Sequence, residues 1–245
     1  MVSTTILQTL SLESWWASVC NWFAMIGDKI YQNLIYGDRY MMLVRGLLVT
    51  LEVTFFAVLV GTLLGILAAL MKLSSVKLIS GISSVYIGIM RGTPLVTQLL
   101  IIYFVIFGSV DIDKTVVAII AFGLNSGAYV AEIIRAGIQA VDKGQMEAGR
   151  SLGLSKGQTM VSIILPQAVK NILPAYVNEF VVLIKETAIV GYIALEDLTK
   201  AGDNIRARTF EAFVPLITVA LIYLLLTTLL TKLFNYVERR LRAND

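Results

Sequence analysis

The chain has 245 residues, of which 57% are apolar and 15% are charged, and its mean hydropathy is +0.79. A soluble domain carries about a quarter charged residues, so this composition excludes an ordinary soluble protein and indicates several membrane spans. The absence of histidine, the single cysteine and a net charge of only +3 exclude imidazole catalysis, a thiolate metal cluster and a nucleic-acid-binding patch.

The first 42 residues contain all three tryptophans of the chain. Apolar residues recur there at steps of three and four, namely Leu12, Trp15, Trp16, Val19, Trp22, Phe23 and Ile26. This spacing predicts an amphipathic helix, and tryptophan favours the boundary between water and lipid. We interpret residues 1–42 as a separate segment with a helix on the membrane surface. The alternative is a helix that packs on the rest of the protein.

Five apolar stretches follow, each longer than the roughly 20 residues that a span requires. They cover residues 46–71, 82–107, 116–137, 167–195 and 213–236. Gly61 and Gly65 form a G-x-x-x-G pair, which permits close helix packing. Pro94 predicts a bend in the second stretch, because proline donates no backbone hydrogen bond and the freed carbonyl must face protein or water. The sequence therefore predicts an all-α polytopic membrane protein with five transmembrane helices.

A polar stretch, residues 147–166, lies between the third and fourth spans. Residues 145–151 predict a short surface helix. Gly153 ends this helix, because glycine reaches left-handed backbone angles without penalty. A second short turn at residues 155–159 leads back into an apolar run. This order of helix, glycine turn and return into lipid is typical of an element that docks on a soluble partner.

The same stretch resembles the EAA motif of ABC importer permeases, E-A-A-x3-G-x9-I-x-L-P, at every fixed spacing, through Glu147, Ala148, Gly149, Gly153, Ile163, Leu165 and Pro166. The family usually has alanine where this chain has Gly149, and we expect glycine to loosen the helix by about 1 kcal/mol. Four other stretches are similar to the polar-amino-acid branch of that family, namely residues 90–98 (MRGTPLVTQ), 125–138 (NSGAYVAEIIRAGI), 178–187 (NEFVVLIKET) and 208–213 (RTFEAF). The resemblance covers residues 43–245.

The resemblance implies a type I ABC importer transmembrane domain with five helices and a cytoplasmic coupling helix, in a loop over residues 139–166. The residues implied to couple the spans to an ATPase are Glu147, Ala148, Gly149, Gly153, Leu154 and Ser155. The chain has no phosphate-binding G-x-x-x-x-G-K-[ST] motif, so we expect no enzyme activity of its own. Separate ATPase subunits are expected to bind ATP and magnesium, and this chain is expected to bind no cofactor or metal.

The resemblance also implies import of a polar amino acid through the cytoplasmic membrane of a prokaryote. Its partners are then an extracytoplasmic amino-acid-binding protein, membrane lipid and a second permease subunit. A homodimer is favoured over a heterodimer, because one chain carries every motif. The implied orientation places the N-terminus and residues 1–42 outside and the C-terminus in the cytoplasm. The tail residues Arg239, Arg240 and Arg242 agree with it through the positive-inside rule.

Polar residues at membrane depth line a cavity or pair with one another. The predicted substrate pathway consists of Arg91, Gln98, Asn125, Tyr129, Asn178, Glu179, Lys185 and Glu186. A free amino acid carries one ammonium and one carboxylate, so its pathway needs charges of both signs, and the fourth span supplies both.

Several of these residues have alternative roles. Arg91 either contacts a substrate carboxylate or locks its helix to a neighbour, and Gln98 is expected on the same helix face, two turns further along. Alternatively, the side chains of Asn125 and Tyr129 form bonds that hold neighbouring helices together. Glu132 and Arg135 are expected to form an ion pair within one helix. Pairing of Glu179 with Lys185 is disfavoured, because residues six apart lie on different helix faces.

Three other classes of protein compete with this interpretation. An ion-driven secondary transporter usually shows internal repeats with interrupted helices in matching positions, and the sequence has no such repeat. A channel subunit is expected to carry a selectivity-filter motif and has no need for a docking loop. An enzyme within the membrane is the weakest alternative, because no nucleophile–base pair is present.

Overall fold

The computed structural model describes the backbone of residues 2–242 and the side chains of residues 15–236, 238 and 240. Within this part of the chain every regular element is helical. Ten α-helices are described there: α1 (Val2–Ile30), α2 (Tyr40–Lys72), α3 (Lys77–Gly92), α4 (Leu95–Leu100), α5 (Lys114–Gln139), α6 (Lys143–Ser151), α7 (Lys156–Thr159), α8 (Leu165–Glu186), α9 (Leu198–Thr209) and α10 (Phe213–Arg242). The all-α prediction is confirmed.

The first helix, α1, is longer than the apolar stripe that predicted it. Its large side chains Trp15, Trp16, Trp22 and Phe23 are all more than half exposed. They therefore do not pack into the rest of the described chain. A π-helical turn, Tyr31–Ile35, and a short 3-10 turn, Tyr36–Asp38, connect α1 to the first span.

Four helical segments are long and apolar enough to cross a membrane, and a bent pair makes up a fifth. The four are Tyr40–Lys72, Lys114–Gln139, Lys156–Ile193 and Phe213–Tyr236, and the bent pair joins Lys77–Gly92 to Leu95–Ile106 at an angle of 107°. The predicted number of spans is therefore confirmed when the bent pair is taken as one span, and the predicted break lies at Thr93 and Pro94.

The fourth span begins at Lys156 rather than near residue 167. A π-helical turn, Met160–Ile164, joins α7 to α8, so the helix continues past Pro166. Pro166 lacks a backbone N–H and lies in the first turn of α8, directly after the π-helical turn. Proline is tolerated at this point because the π turn already interrupts the regular helical hydrogen bonds there. The prediction of a separate loop up to residue 166 is wrong on this point.

The helices α2 and α5 form the centre of the bundle and approach each other through small residues. A Cβ atom placed on Gly65 would lie 2.6 Å from the Cβ atom of Val130, and one placed on Gly61 would lie 3.0 Å from that of Ser126. The G-x-x-x-G pair thus has the role that the sequence predicted, since any side chain there would separate the two helices.

The bundle has two ends with different structures. At one end the amine of Lys114, at the start of α5, donates to the carbonyl oxygen of Ala194 at 3.3 Å. The start of α9 packs there on α2, since the Leu198 amide donates to Oγ1 of Thr50 at 3.2 Å. At the other end α5 terminates at Gln139 and leads into α6. The predicted coupling loop therefore lies at one end of the bundle, and α9 lies at the opposite end.

Candidate coupling surface and transport pathway

The short helix α6 is defined at both ends by local hydrogen bonds. Asp142 caps its start by accepting from the Gly144 amide at 2.6 Å. At its end the Gly153 amide donates to the Arg150 carbonyl at 3.0 Å, and the Leu154 amide donates to the Gly149 carbonyl at 3.2 Å. This pair of bonds is a Schellman motif, which needs a left-handed residue. Gly153 has φ of +87°, as the predicted glycine turn requires.

A second cap fixes the helix that follows. Ser155 and Gln158 form a capping box at the start of α7, with each side chain bonded to the other residue's amide. Gly149 is buried where α6 crosses α7, and a Cβ atom placed on it would lie 2.5 Å from Cγ2 of Thr159. The sequence suggested only a looser helix at Gly149. The structure adds that this close crossing leaves no room for a side chain.

The outer surface of α6 and its turn is open to solvent. Glu147 and Ala148 are exposed, and Leu152 has 81% of its surface exposed. A groove of about 680 Å³ runs between α6, the end of α5 and the π-helical turn Met160–Ile164. On its inner side α6 adjoins an apolar cluster of Val141, Ile164 and Ala168, which joins it to α5 and α8. The element therefore presents one surface and is anchored to two spans by the other.

The bend at Pro94 is built around a carbonyl group without a helical partner. Pro94 donates no bond to the Met90 carbonyl, and two amides replace it: Nε2 of Gln98 donates at 2.8 Å and Nδ2 of Asn125 at 3.1 Å. Nδ2 of Asn125 also donates to Oε1 of Gln98 at 2.9 Å, and both residues are buried. The freed carbonyl was predicted to face protein or water, and it faces protein.

Gln98 and Arg91 do not share a helix face. The sequence placed them on one helix face, but the bend of 107° separates their helices. That prediction is wrong, because the shared face required an uninterrupted helix. Gln98 and Asn125 lie in the wall between α3, α4 and α5, and Gln98 uses both ends of its amide there.

Arg91 and Tyr129 do come together, in a groove of about 360 Å³ between α3, α5 and α8. The guanidinium carbon of Arg91 lies 5.2 Å from the centre of the Tyr129 ring, a cation–π distance. Asn171 of α8 and Glu132 of α5 line the same groove. Nε of Arg135 donates to both carboxylate oxygens of Glu132 at 3.0 Å, so the expected ion pair within α5 is present.

The charged residues of α8 lie in two environments. Glu179 and Glu186 are half-buried, and they lie seven positions or about two turns apart, so they share a helix face. The carboxylate of Glu179 lies near the Ser126 hydroxyl and within electrostatic range of Arg91. Asn178 and Lys185 are exposed on other faces. Among the described side chains no ion pair joins Glu179 to Lys185, which agrees with their spacing of six residues.

Sequence reasoning missed one buried acid, Asp197. It has 0% of its surface exposed and caps α9 by accepting from the amides of Thr199 at 3.1 Å and Lys200 at 2.9 Å. The Tyr223 hydroxyl also donates to it at 3.2 Å. Burial raises the pKa of its carboxyl, against the opposing effect of these bonds. An aspartate before a helix predicts a cap, but nothing local predicts its burial.

No group of three or more acidic or cysteine side chains in the described part of the chain could hold a metal ion.

Residues 61–243 match a known family, the binding-protein-dependent transport system inner membrane components. The chain is 44% identical over 205 residues to the arginine transport system permease protein of Bacillus subtilis (strain 168), covering 83% of this chain and 94% of that protein. It is 34% identical over 204 residues to the glutamine transport system permease protein of Escherichia coli (strain K12), covering 82% of this chain and 93% of that protein.

Two solved structures of ABC transporters are also similar to this chain. One, described as an amino acid ABC transporter with histidines, is 49% identical with a TM-score of 0.78, covering 82% of this chain and 94% of that chain. An inward-facing methionine ABC transporter is 21% identical with a TM-score of 0.67, which supports the fold alone. The chain belongs to the family of binding-protein-dependent transport system inner membrane components, the multi-pass permease subunits of ABC transporters that its EAA motif predicted.

Proposed function

We propose that this chain forms the path by which a polar amino acid is imported, and that a separate ATPase drives it by binding α6 and the turn after it. The observation that carries this proposal is the two-sided construction of α6. Its outer surface is open at Glu147, Ala148 and Leu152, while its inner surface adjoins the cluster that joins α5 to α8. Caps at both ends keep it rigid. An element of this kind transmits a displacement of its partner to two spans.

The substrate class follows from relatives and from charge. Arginine, glutamine and cystine permeases are among the relatives that this chain resembles. Glu179 and Glu186 supply negative charge on one face of α8, and Arg91 supplies positive charge nearby. An amino acid then binds with its ammonium toward Glu179 and its carboxylate toward Arg91, since each charge is stabilised by its opposite where water is scarce. Asn178 and Lys185 are exposed in the single chain. They complete the proposed pathway together with a second copy of the chain.

The remaining roles follow from this assignment. Gln98 and Asn125 act indirectly, because they hold the bend that positions Arg91 and Tyr129. The partner ATPase binds ATP and magnesium, and this chain binds neither. With α6 in the cytoplasm, α9 and the segment of residues 1–42 are extracytoplasmic. Closure of the ATPase then favours one of two states that differ in affinity for the solute.

The test is reconstitution of the chain with its ATPase in liposomes. ATP hydrolysis and uptake are measured with a panel of polar amino acids, with and without the extracytoplasmic binding protein. We expect stimulation by one or a few amino acids, and loss of stimulation in Glu147→Arg. The matched control is Lys77→Glu, which reverses an exposed charge at the start of α3, outside the coupling element.

The possible outcomes separate the candidate functions. Basal hydrolysis without a response to any amino acid retains the coupling role but contradicts the substrate class. An isolated chain that binds no ATPase, yet transports when an ion gradient is imposed, contradicts the proposal and indicates an ion-driven carrier. Unchanged stimulation in Glu147→Arg contradicts the assignment of α6.

A further inference from the structure

A second surface, at the end of the bundle opposite α6, has features that the transport pathway does not use. A cavity of about 590 Å³ lies between the segment that precedes α2 and the turn that joins α9 to α10. The amine of Lys29 lies 3.4 Å from a carboxylate oxygen of Glu211, and this ion pair ties the two segments together. Residues that are 182 positions apart thus form one surface.

Phe210 stands at the edge of this cavity and is almost fully exposed. It has 97% of its surface accessible, more than any other large apolar side chain in the described part of the molecule. Its φ of +55° is left-handed, which bulky residues rarely adopt. Glu211 holds the turn by accepting from the amides of Phe213 at 3.2 Å and Val214 at 3.0 Å. A strained backbone that exposes an aromatic ring indicates a function.

The cavity also contains a buried polar atom that lacks a partner. Asn33 has 2% of its surface exposed and lines the cavity from the π-helical turn after α1. Its Nδ2 donates to the Lys29 carbonyl at 2.8 Å, but its Oδ1 accepts no hydrogen bond from the described residues. Buried acceptors are nearly always satisfied. Among the described residues this buried acceptor is therefore left unsatisfied in the wall of the cavity.

The charge at the cavity indicates which surface would complement it. Lys29 is paired with Glu211, which leaves Arg39 as an additional cation. The guanidinium of Arg39 lies 5.3 Å from the centre of the Tyr36 ring. An exposed aromatic anchor beside an arginine is the composition of protein-binding hot spots. The complementary surface has an apolar pocket for the Phe210 ring and a carboxylate for Arg39.

We propose that Phe210 and the adjoining cavity are the docking site for one lobe of the extracytoplasmic solute-binding protein, which contributes an apolar pocket and an acidic side chain. This inference rests on the proposed function, because it requires this end of the bundle to face outward. Docking there acts directly on α9, since Phe210 is the residue at which α9 ends. The start of α9 packs on α2 through Leu198 and Thr50. The binding protein thus engages the helix that covers the outer end of the spans.

The test uses the permease–ATPase complex in nanodiscs and the solute-binding protein that stimulates its ATP hydrolysis. The concentration of binding protein that gives half-maximal stimulation is measured for Phe210→Ala and Phe210→Gly. We expect both to raise it about 30-fold, as loss of a hot-spot aromatic does. Phe210→Gly also relieves the left-handed strain, so a defect in both variants is due to the ring. Monodispersity and thermal unfolding establish that the variants are folded.

Two further variants complete the design. Phe55→Ala removes an exposed aromatic from the surface of α2, and we expect the half-maximal concentration to be unchanged. Arg39→Ala is expected to raise that concentration and to reduce its dependence on salt, because an ionic contact is lost.

The outcomes distinguish this inference from the proposed function. If no binding protein stimulates the wild-type complex, the proposed function fails. If the wild type responds and both Phe210 variants respond equally well, only the docking site is wrong. A change of subunit stoichiometry in Phe210→Ala would assign the surface to a second copy of the chain. A defect that varies with the lipid composition of the nanodisc would assign it to the membrane, and either result overturns the proposal.

Discussion

Substitutions at Gly153 test whether the turn after α6 couples the spans to the ATPase. A Cβ atom on Gly153 would meet no atom within 4 Å, so a side chain there causes no clash. Its φ of +87° is the only obstacle. An L-residue at left-handed angles costs about 1–2 kcal/mol, which lowers the population of the ordered turn by about 5–30-fold. Asparagine tolerates these angles best, and a β-branched residue tolerates them least.

The expected order of coupling is therefore Gly153, then Gly153→Asn, Gly153→Ala and Gly153→Val. The assay is the number of amino acids imported per ATP hydrolysed in liposomes, together with the amount of chain inserted. We expect insertion to be normal in every variant and coupling to be nearly abolished in Gly153→Val. Gly157→Val is the matched control, because Gly157 also has open space around it but ordinary helical angles.

Two results would refute this reasoning. If Gly153→Val imports with the wild-type stoichiometry, the Schellman turn is not needed for coupling. If Gly157→Val is as defective as Gly153→Val, the cause is side-chain bulk in the docking surface and not backbone conformation.

Three other predictions follow from the interior. Gln98→Leu removes the bonds to Met90 and Thr93 and is expected to lower the free energy of unfolding by about 1–3 kcal/mol; denaturation of the purified protein measures it, with Gln167→Leu, which loses a bond only within its own helix, as the control. Glu179→Gln is expected to raise the half-saturating concentrations of arginine and of glutamine by similar factors of about tenfold, because both carry the ammonium that Glu179 contacts, and unchanged values in uptake assays would contradict the role of Glu179. Asp197 has a pKa raised by burial, so the folded state holds its proton more tightly than the unfolded state does. Its contribution to stability is then present below the ordinary pKa of aspartate and is lost as the pH rises through the higher pKa of the folded state; Asp197→Asn should flatten this dependence in thermal unfolding measured against pH.

Local features of the sequence predicted the spans and the turn. The apolar stretches around residues 46–71 and 213–236 correspond to helices Tyr40–Lys72 and Phe213–Tyr236, because length and apolar composition decide whether a helix can cross a membrane. Gly153 predicted the left-handed turn, since glycine is the residue that adopts such angles freely. Two predictions were wrong. Arg91 and Gln98 were expected on one continuous helix face, but a bend separates them. The fourth span was expected to begin after Pro166, but the helix continues through that residue.

The sequence by itself therefore determined that this is a helical membrane protein with a bent second span and a short surface helix that ends in a glycine turn, because each of these depends on residues close together in the chain. Only the tertiary structure decided which residues satisfy the Met90 carbonyl, since Asn125 lies 35 positions away. The same holds for the room that Gly149 must leave for Thr159, the burial of Asp197 and the exposure of Phe210. These properties arise from contacts between distant segments, and no local pattern of residue types encodes them.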